Sequence, residues 1–262
     1  MSRYSCAKIV RRAKNKTIYR ILVFYIIGIT LSNVFRFDLL DLRVLSEGAT
    51  PWQLLITSPL GAIGLFVGAL ISCYLLKKER SLQYSLFGTS RKWSLLMMSI
   101  PVILLGVFGV ENENSVSSGY YGVIGGVGTL IYCFCEEIGW RGYLQDELKS
   151  VKEWQRVLLI GFLWYFWHLS FISNQDLIDN VQFLGWMILG SWGIGKVIDS
   201  TKSIVAATCF HMIINIAMFN KAMTLGLTGS SKLLILGISV ALWIVILKFW
   251  MKKDKVIIKT VN

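Results

Sequence analysis

Apolar residues along this chain gather into runs of roughly 18 to 23, the length an α-helix needs to cross about 30 Å of hydrocarbon at ~1.5 Å per residue. Such runs cover residues 18–35, 54–76, 93–110, 120–140, 156–172, 181–198, 203–219 and 233–250, and each predicts one transmembrane helix. The connections are short, with no low-complexity segment and no evident internal repeat, so none could fold alone. The expected fold class is all-α: a polytopic transmembrane helical bundle of about eight spans, forming one membrane domain over residues 1–262.

The charges between the runs supply a topology. Lys and Arg favour cytoplasmic loops. The arm before the first run carries Arg3, Lys8, Arg11, Arg12, Lys14 and Lys16, and the tail after the last carries Lys248, Lys252, Lys253, Lys255 and Lys259. Two basic ends require an even number of spans, with both termini cytoplasmic. The inner loops then hold Lys77, Lys78, Arg80, Arg91 and Lys92, then Lys149, Lys152 and Arg156, then Lys196 and Lys202. The outer loops at 111–119 and 173–180 carry no Lys or Arg, only Glu111, Glu113, Asp176 and Asp179. Lys221 and Lys232, in the outer loop at 220–232, run against the pattern.

Composition agrees. The protein is 55% hydrophobic and only 16% charged, where a soluble domain has about 25% charged residues. The net charge of +12 sits at the ends of apolar runs, as topology determinants and contacts for anionic lipid do. No nucleic-acid partner is expected. The first run follows basic residues but lacks a small-residue cleavage site, so it reads as a retained anchor. The cysteines Cys6, Cys73, Cys133, Cys135 and Cys209 are odd in number and lack ligand spacing, so they read as small packing residues.

Charged residues at membrane depth cost about 2.5–3.5 kcal/mol each on insertion scales, so those that persist are functional candidates. Of fifteen acidic residues, only Glu136 and Glu137 lie well inside an apolar run, and both histidines, His168 and His211, lie in runs. By helical rise, Glu136 lies roughly 20 Å above Lys149, His168 roughly 18 Å above Arg156, and His211 roughly 14 Å above Lys202. Asn215 is one turn beyond His211 on the same face. Three helices thus bring Glu, His, His and Asn to a similar depth, which points to one shared site. Glu137 and Arg141 are spaced i, i+4 in the favourable order, so Arg141 is expected to compensate Glu137 and leave Glu136 to address the site. Gly139 and Gly142 permit close helix approach.

The stretch Glu136-Glu137-Ile138-Gly139-Trp140-Arg141, then His168, then His211-Met212-Ile213-Ile214-Asn215, resembles the CPBP family of intramembrane proteases. That family includes type II CaaX prenyl endopeptidases and bacterial bacteriocin-processing or self-immunity (Abi) proteins. Its pattern is EExxxR, FxxxH and HxxxN or HxxxD on successive membrane helices, and the likeness covers about residues 120–220 as a protease-motif core. One position departs: Trp164 stands where the family usually has Phe, a change expected to affect packing more than chemistry. The resemblance implies a helical bundle around a water-accessible cavity, and an endopeptidase acting on a membrane-associated protein or peptide. It implies that Glu136 activates a water with help from His168, that His211 and Asn215 stabilise the oxyanion, and that Glu137 and Arg141 support them.

One Glu and two His also make a catalytic zinc set, in which Glu136, His168 and His211 would be the ligands. The metal-free mechanism, with no cofactor required, is favoured because Asn beside His suits oxyanion binding without an ion. The expected partners are a peptide or membrane-protein substrate and the lipid bilayer. The expected location is a plasma membrane, multi-pass, in a bacterium, with bacteriocin maturation or self-immunity as the biological setting. Two alternatives come from other classes: a non-catalytic immunity or scaffold protein that keeps the cavity, and a transporter using the same carboxylates. The second lacks the paired broken helices that transporters often show.

Overall fold

The computed structural model describes residues 3–40, 51–76, 82–113, 115–172 and 176–261. Helix α1 spans Arg3–Arg36, α2 Pro51–Thr57 and α3 Leu60–Leu70, the last continuing as a π-helix over Ile71–Leu75. Helix α4 covers Arg91–Phe108 and α5 Ser118–Glu137, with a π-helical continuation over Ile138–Gln145. Then follow α6 (Glu153–Trp167), α7 (Leu169–Ile172), α8 (Leu177–Thr201), α9 (Ile204–Ile214) with a π-helical continuation over Asn215–Phe219, α10 (Lys221–Gly226) and α11 (Gly229–Val261). Among the described residues the only β pairing is an isolated bridge between Ser85 and Ser203. The protein is an all-α polytopic bundle.

Several helices start at polar residues that cap them. Ser90, Ser117, Asp176 and Ser203 each accept a backbone N–H from the residue three positions on, at 3.5, 3.3, 2.9 and 3.1 Å. Such caps satisfy amides that the helix itself leaves unpaired. Among the described residues, six stretches are long and apolar enough to cross a membrane: Lys16–Arg36, Leu55–Leu75, Arg91–Phe108, Ser118–Gln145, Leu177–Thr201 and Gly229–Lys252. Their outward faces expose large apolar side chains such as Ile26, Leu75, Val107, Leu189 and Phe249, a surface that suits lipid and not water.

The expected spans at 156–172 and 203–219 correspond to α6 with α7 and to α9 with its π continuation, and both are shorter than the rest. The first is not continuous, because α6 ends at Trp167 and His168 turns the backbone at φ −85, ψ 42. The imidazole causes the break: its Nδ1 takes the Trp164 carbonyl at 2.9 Å, the acceptor a continuing helix would have used for a backbone amide. The basic arm is also not separate from the first span, since α1 already begins at Arg3, and α11 runs past the eighth apolar run to Val261. Lys77, Lys78 and Arg80 of the expected inner loop, and positions 173–175 of the outer one, lie outside the described residues.

Helix α1 packs on α3, α4 on α5, α6 on α8, and α9 lies against both α5 and α8. Small residues set two of these distances. A Cβ on Gly64 would stand 2.6 Å from the Gly28 carbonyl oxygen, and one on Gly122 would run into the carbonyl of Leu105. Close backbone approach of this kind is how membrane helices associate without a hydrophobic driving force. Cys133, Cys135 and Cys209 are buried in the apolar clusters so formed, as packing residues.

Candidate active site

Glu136 and Glu137 close the regular part of α5, where the helix widens into its π turn, and both are fully buried. Asn215 opens the π-helical continuation of α9. Two of the three motif-bearing helices therefore change pitch at the residues singled out from the sequence, a placement common at functional sites.

The two carboxylates bracket one imidazole. Glu137 Oε1 lies 2.8 Å from His211 Nδ1, and since a carboxylate only accepts, Nδ1 carries the proton. On the opposite edge of the ring, His211 Nε2 is 4.0 Å from Glu136 Oε2. Arg141 Nε reaches Glu137 Oε2 at 3.4 Å, as the i, i+4 spacing predicts. Arg141 also donates to the Gly190 carbonyl at 3.3 Å, and its guanidinium lies 4.7 Å from the centre of the Trp164 ring. Glu137 thus serves His211 as well as Arg141, which the division into one catalytic and one compensated glutamate does not anticipate.

Trp164 corrects a second expectation. Its indole Nε1–H donates to Glu136 Oε2 at 2.9 Å, so the exchange of Phe for Trp changes the chemistry around the carboxylate and not only the packing. The same residue's carbonyl holds His168, and its ring stands edge-on to His211 at 5.1 Å. One residue therefore touches all three motif elements. Among the described residues, none makes a hydrogen bond to Glu136 Oε1.

A cavity of about 580 Å³ opens beside this cluster, lined by Trp164, His168, His211 and Asn215 together with Tyr132 and Arg36. Glu136 lies behind that wall and does not itself line it. His168 donates through Nδ1, so in the neutral ring Nε2 keeps an acceptor lone pair. Tyr132, one turn before Glu136 on α5, accepts from Arg36 Nη2 at 2.6 Å, and its hydroxyl faces Glu136. Tyr132 was findable from its i, i+4 relation to Glu136, whereas Arg36 belongs to a helix without any motif.

The donor set for a metal does not gather. Among the described residues no three His, Cys, Asp or Glu side chains come close enough to share an ion. Glu136, His168 and His211 do not fit a zinc ion as they stand, so no step is routed through one.

At the end of the Leu177–Thr201 stretch, a polar clamp joins the segment at 82–90 to α8 and α9. Ser85 pairs with Lys202 and Ile204 through the backbone. The Tyr84 hydroxyl donates to Asp199, whose other oxygen accepts from Arg156 at 3.0 Å. Burial and the adjacent Asp199 push the Tyr84 phenol well above its ordinary range.

Residues 117–217 match the model of the Rce1-like type II CAAX prenyl endopeptidase family. The protein is also similar to CAAX prenyl protease 2 of Methanococcus maripaludis, 34% identical over 93 residues that cover 31% of this chain and 34% of that relative. That match spans about a third of the length of the curated relative, and the family match at 117–217 falls on the segment that carries the clustered side chains.

Proposed function

We propose that the protein is an intramembrane endopeptidase of the CPBP/CAAX protease family, a reading supported by the match of residues 117–217 to the Rce1-like family. In this reading it hydrolyses a peptide bond of a membrane-associated protein or peptide. The observation that carries it is the bracketing of His211 by Glu137 and Glu136 beside a cavity shared with His168 and Asn215.

Each residue has a role that its contacts support. Glu136 Oε1, buried and unpartnered, is the atom left to take a proton from water, while Trp164 holds Oε2. His168 presents its free Nε2 to the same cavity and helps to position that water. The hydroxide adds to the scissile carbonyl; the proton on Glu136 then passes to the leaving amine as the C–N bond breaks. His211, fixed through Nδ1 by Glu137, donates through Nε2 in its doubly protonated form. With the Asn215 amide it stabilises the oxyanion. Arg141 offsets the charge of Glu137. The mechanism needs no metal. The proposed setting is a bacterial plasma membrane, where processing or self-immunity against peptides uses such chemistry.

A second reading is favoured by the enclosure of Glu136 behind the cavity wall: a non-catalytic immunity or scaffold protein that binds its partner in the cavity. One experiment separates the two. Purified wild type and Glu136→Gln, matched for folding, are compared on a library of quenched membrane peptides with and without a chelator. The metal-free endopeptidase predicts cleavage by wild type that resists chelation and falls by at least about 10³-fold in the variant. Loss on chelation with recovery in zinc would assign a metalloprotease. Absence of cleavage, with Glu136→Gln still functional in cells, would assign the scaffold.

A further inference from the structure

Arg36, the last residue of α1, places a guanidinium in the wall of the cavity that holds the candidate active site. Among the described residues that line it, no other is Lys or Arg. Three elements hold it in place. Nε donates to the Gly61 carbonyl on α3 at 3.0 Å, Nη1 to the Trp167 carbonyl at the end of α6 at 3.3 Å, and Nη2 to the Tyr132 hydroxyl on α5 at 2.6 Å. The guanidinium also rests 3.5 Å from the centre of the Trp167 ring.

Every one of these acceptors is neutral. Arginine has five N–H donors and no acceptor, so three bonds leave two donors and the charge itself to be met. A cation turned into an apolar cavity at the end of a membrane span is costly, and its natural complement is an anion that pairs with it in two places. The fixed position matters as much as the charge. A guanidinium already locked by three neighbours loses little freedom when it binds, and a planar fork matches a carboxylate better than a point charge does.

Tyr132 relates this cation to the chemistry. It touches Arg36, and it stands one helical turn before Glu136. One turn is about 5–6 Å along the helix, close to two residues of extended peptide at ~3.3 Å each. We propose that Arg36 is a substrate-binding residue that receives a carboxylate about two residues from the scissile bond. The inference rests on the endopeptidase reading for its ligand. The carboxylate can belong to the C-terminus of a peptide or to an Asp or Glu side chain, and the test separates these sources.

Binding is measured on protein carrying Glu136→Gln, so that turnover is not needed, and cleavage is measured separately on protein with Glu136 intact. The probe is one apolar fluorescein-labelled peptide in three forms: a free C-terminal acid, a C-terminal amide, and the amide with Asp near its end. The charged pair predicts that the free acid, the Asp-amide or both bind about 10- to 100-fold more tightly than the plain amide. Whichever anionic form binds tightly identifies the source. Adding Arg36→Gln removes the preference and leaves plain-amide affinity within about threefold; Arg36→Lys, which keeps the charge, restores part of it. Equal binding of all three forms, or binding of none, overturns the proposal. So does an equal loss for all three peptides in Arg36→Gln, which describes a structural staple. Should Arg36→Gln fail to fold, Arg36→Lys decides: a carboxylate preference reduced below that of Arg36 with plain-amide affinity kept supports the proposal, and an undiminished preference or an equal loss for all three peptides overturns it. Binding that follows the carboxylate while wild type cleaves no peptide counts against the endopeptidase reading and leaves the Arg36 site standing.

Discussion

Replacing Trp164 by Phe removes one hydrogen-bond donor from a carboxylate that has few partners. Glu136 is fully buried, Oε1 is unpartnered, and Oε2 receives the indole N–H at 2.9 Å with His211 Nε2 no nearer than 4.0 Å. Hydrogen bonds to charged groups contribute about 1.5–3 kcal/mol, and each 1.4 kcal/mol is tenfold in rate. If Trp164 orients Glu136 for proton transfer, Trp164→Phe should lower kcat/KM by about 10- to 150-fold. Phe keeps an aromatic face toward Arg141 and His211, so most packing survives and the loss of stability should stay within about 1–3 kcal/mol. The assay is kcat/KM on a quenched peptide alongside Tm in the same detergent, with Glu136→Gln as the inactive reference. A variant within twofold of wild type, while Glu136→Gln is dead, would refute the orienting role. That outcome would also mean that the Phe typical of the family serves here as well as the Trp.

Two further perturbations test other parts of the construction. Glu137→Gln removes the charge that orients the His211 ring and stabilises its doubly protonated form, and should cost about 10²–10⁴-fold in kcat with KM nearly unchanged, as for other carboxylate–imidazole pairs; a loss under threefold would leave Glu137 as a counterion of Arg141 alone. Gly64→Ala forces a Cβ to 2.6 Å from the Gly28 carbonyl and 2.8 Å from the Ser32 amide. It should lower stability by about 1–3 kcal/mol, read as a fall in Tm, while the folded fraction keeps wild-type activity because Gly64 does not itself line the cavity; an unchanged Tm would show that α1 and α3 can part freely.

What was legible in the sequence follows from how membranes constrain it. Apolar length marks the helices directly, because nothing else satisfies a backbone in hydrocarbon, and every expected run is helical. Rarity marks the site: with so few ionisable residues at depth, Glu136, Glu137, His168 and His211 stand out before any contact is known. The break at His168 was not legible. It contains no Pro or Gly, and it depends on an imidazole competing for its own helix's carbonyl. Arg36 was hidden for a different reason. A cation at the end of an apolar run looks the same whether it faces lipid headgroups or turns inward onto Trp167 and Tyr132, and only the packing of α1 against α3 and α6 distinguishes these.

The pairing of the two glutamates shows why adjacency in sequence misleads at such a site. Successive helical residues point about 100° apart, which suggests that Glu136 and Glu137 serve different neighbours. On their own helix they do: Glu137 meets Arg141 and Glu136 faces Tyr132. The imidazole of His211, supplied by α9, enters between them, and a ring with nitrogens on two edges can be approached by both carboxylates from their divergent directions. The 100° separation is therefore what allows one histidine to be gripped through Nδ1 while Nε2 stays within reach of the other acid. A pair of substitutions that moved either carboxylate one position along α5 would keep the charge and lose this bracket. The geometry thus favours two consecutive glutamates at this point of the helix, and the widening of the π turn just after them gives Arg141 room to pair with Glu137 without displacing the ring.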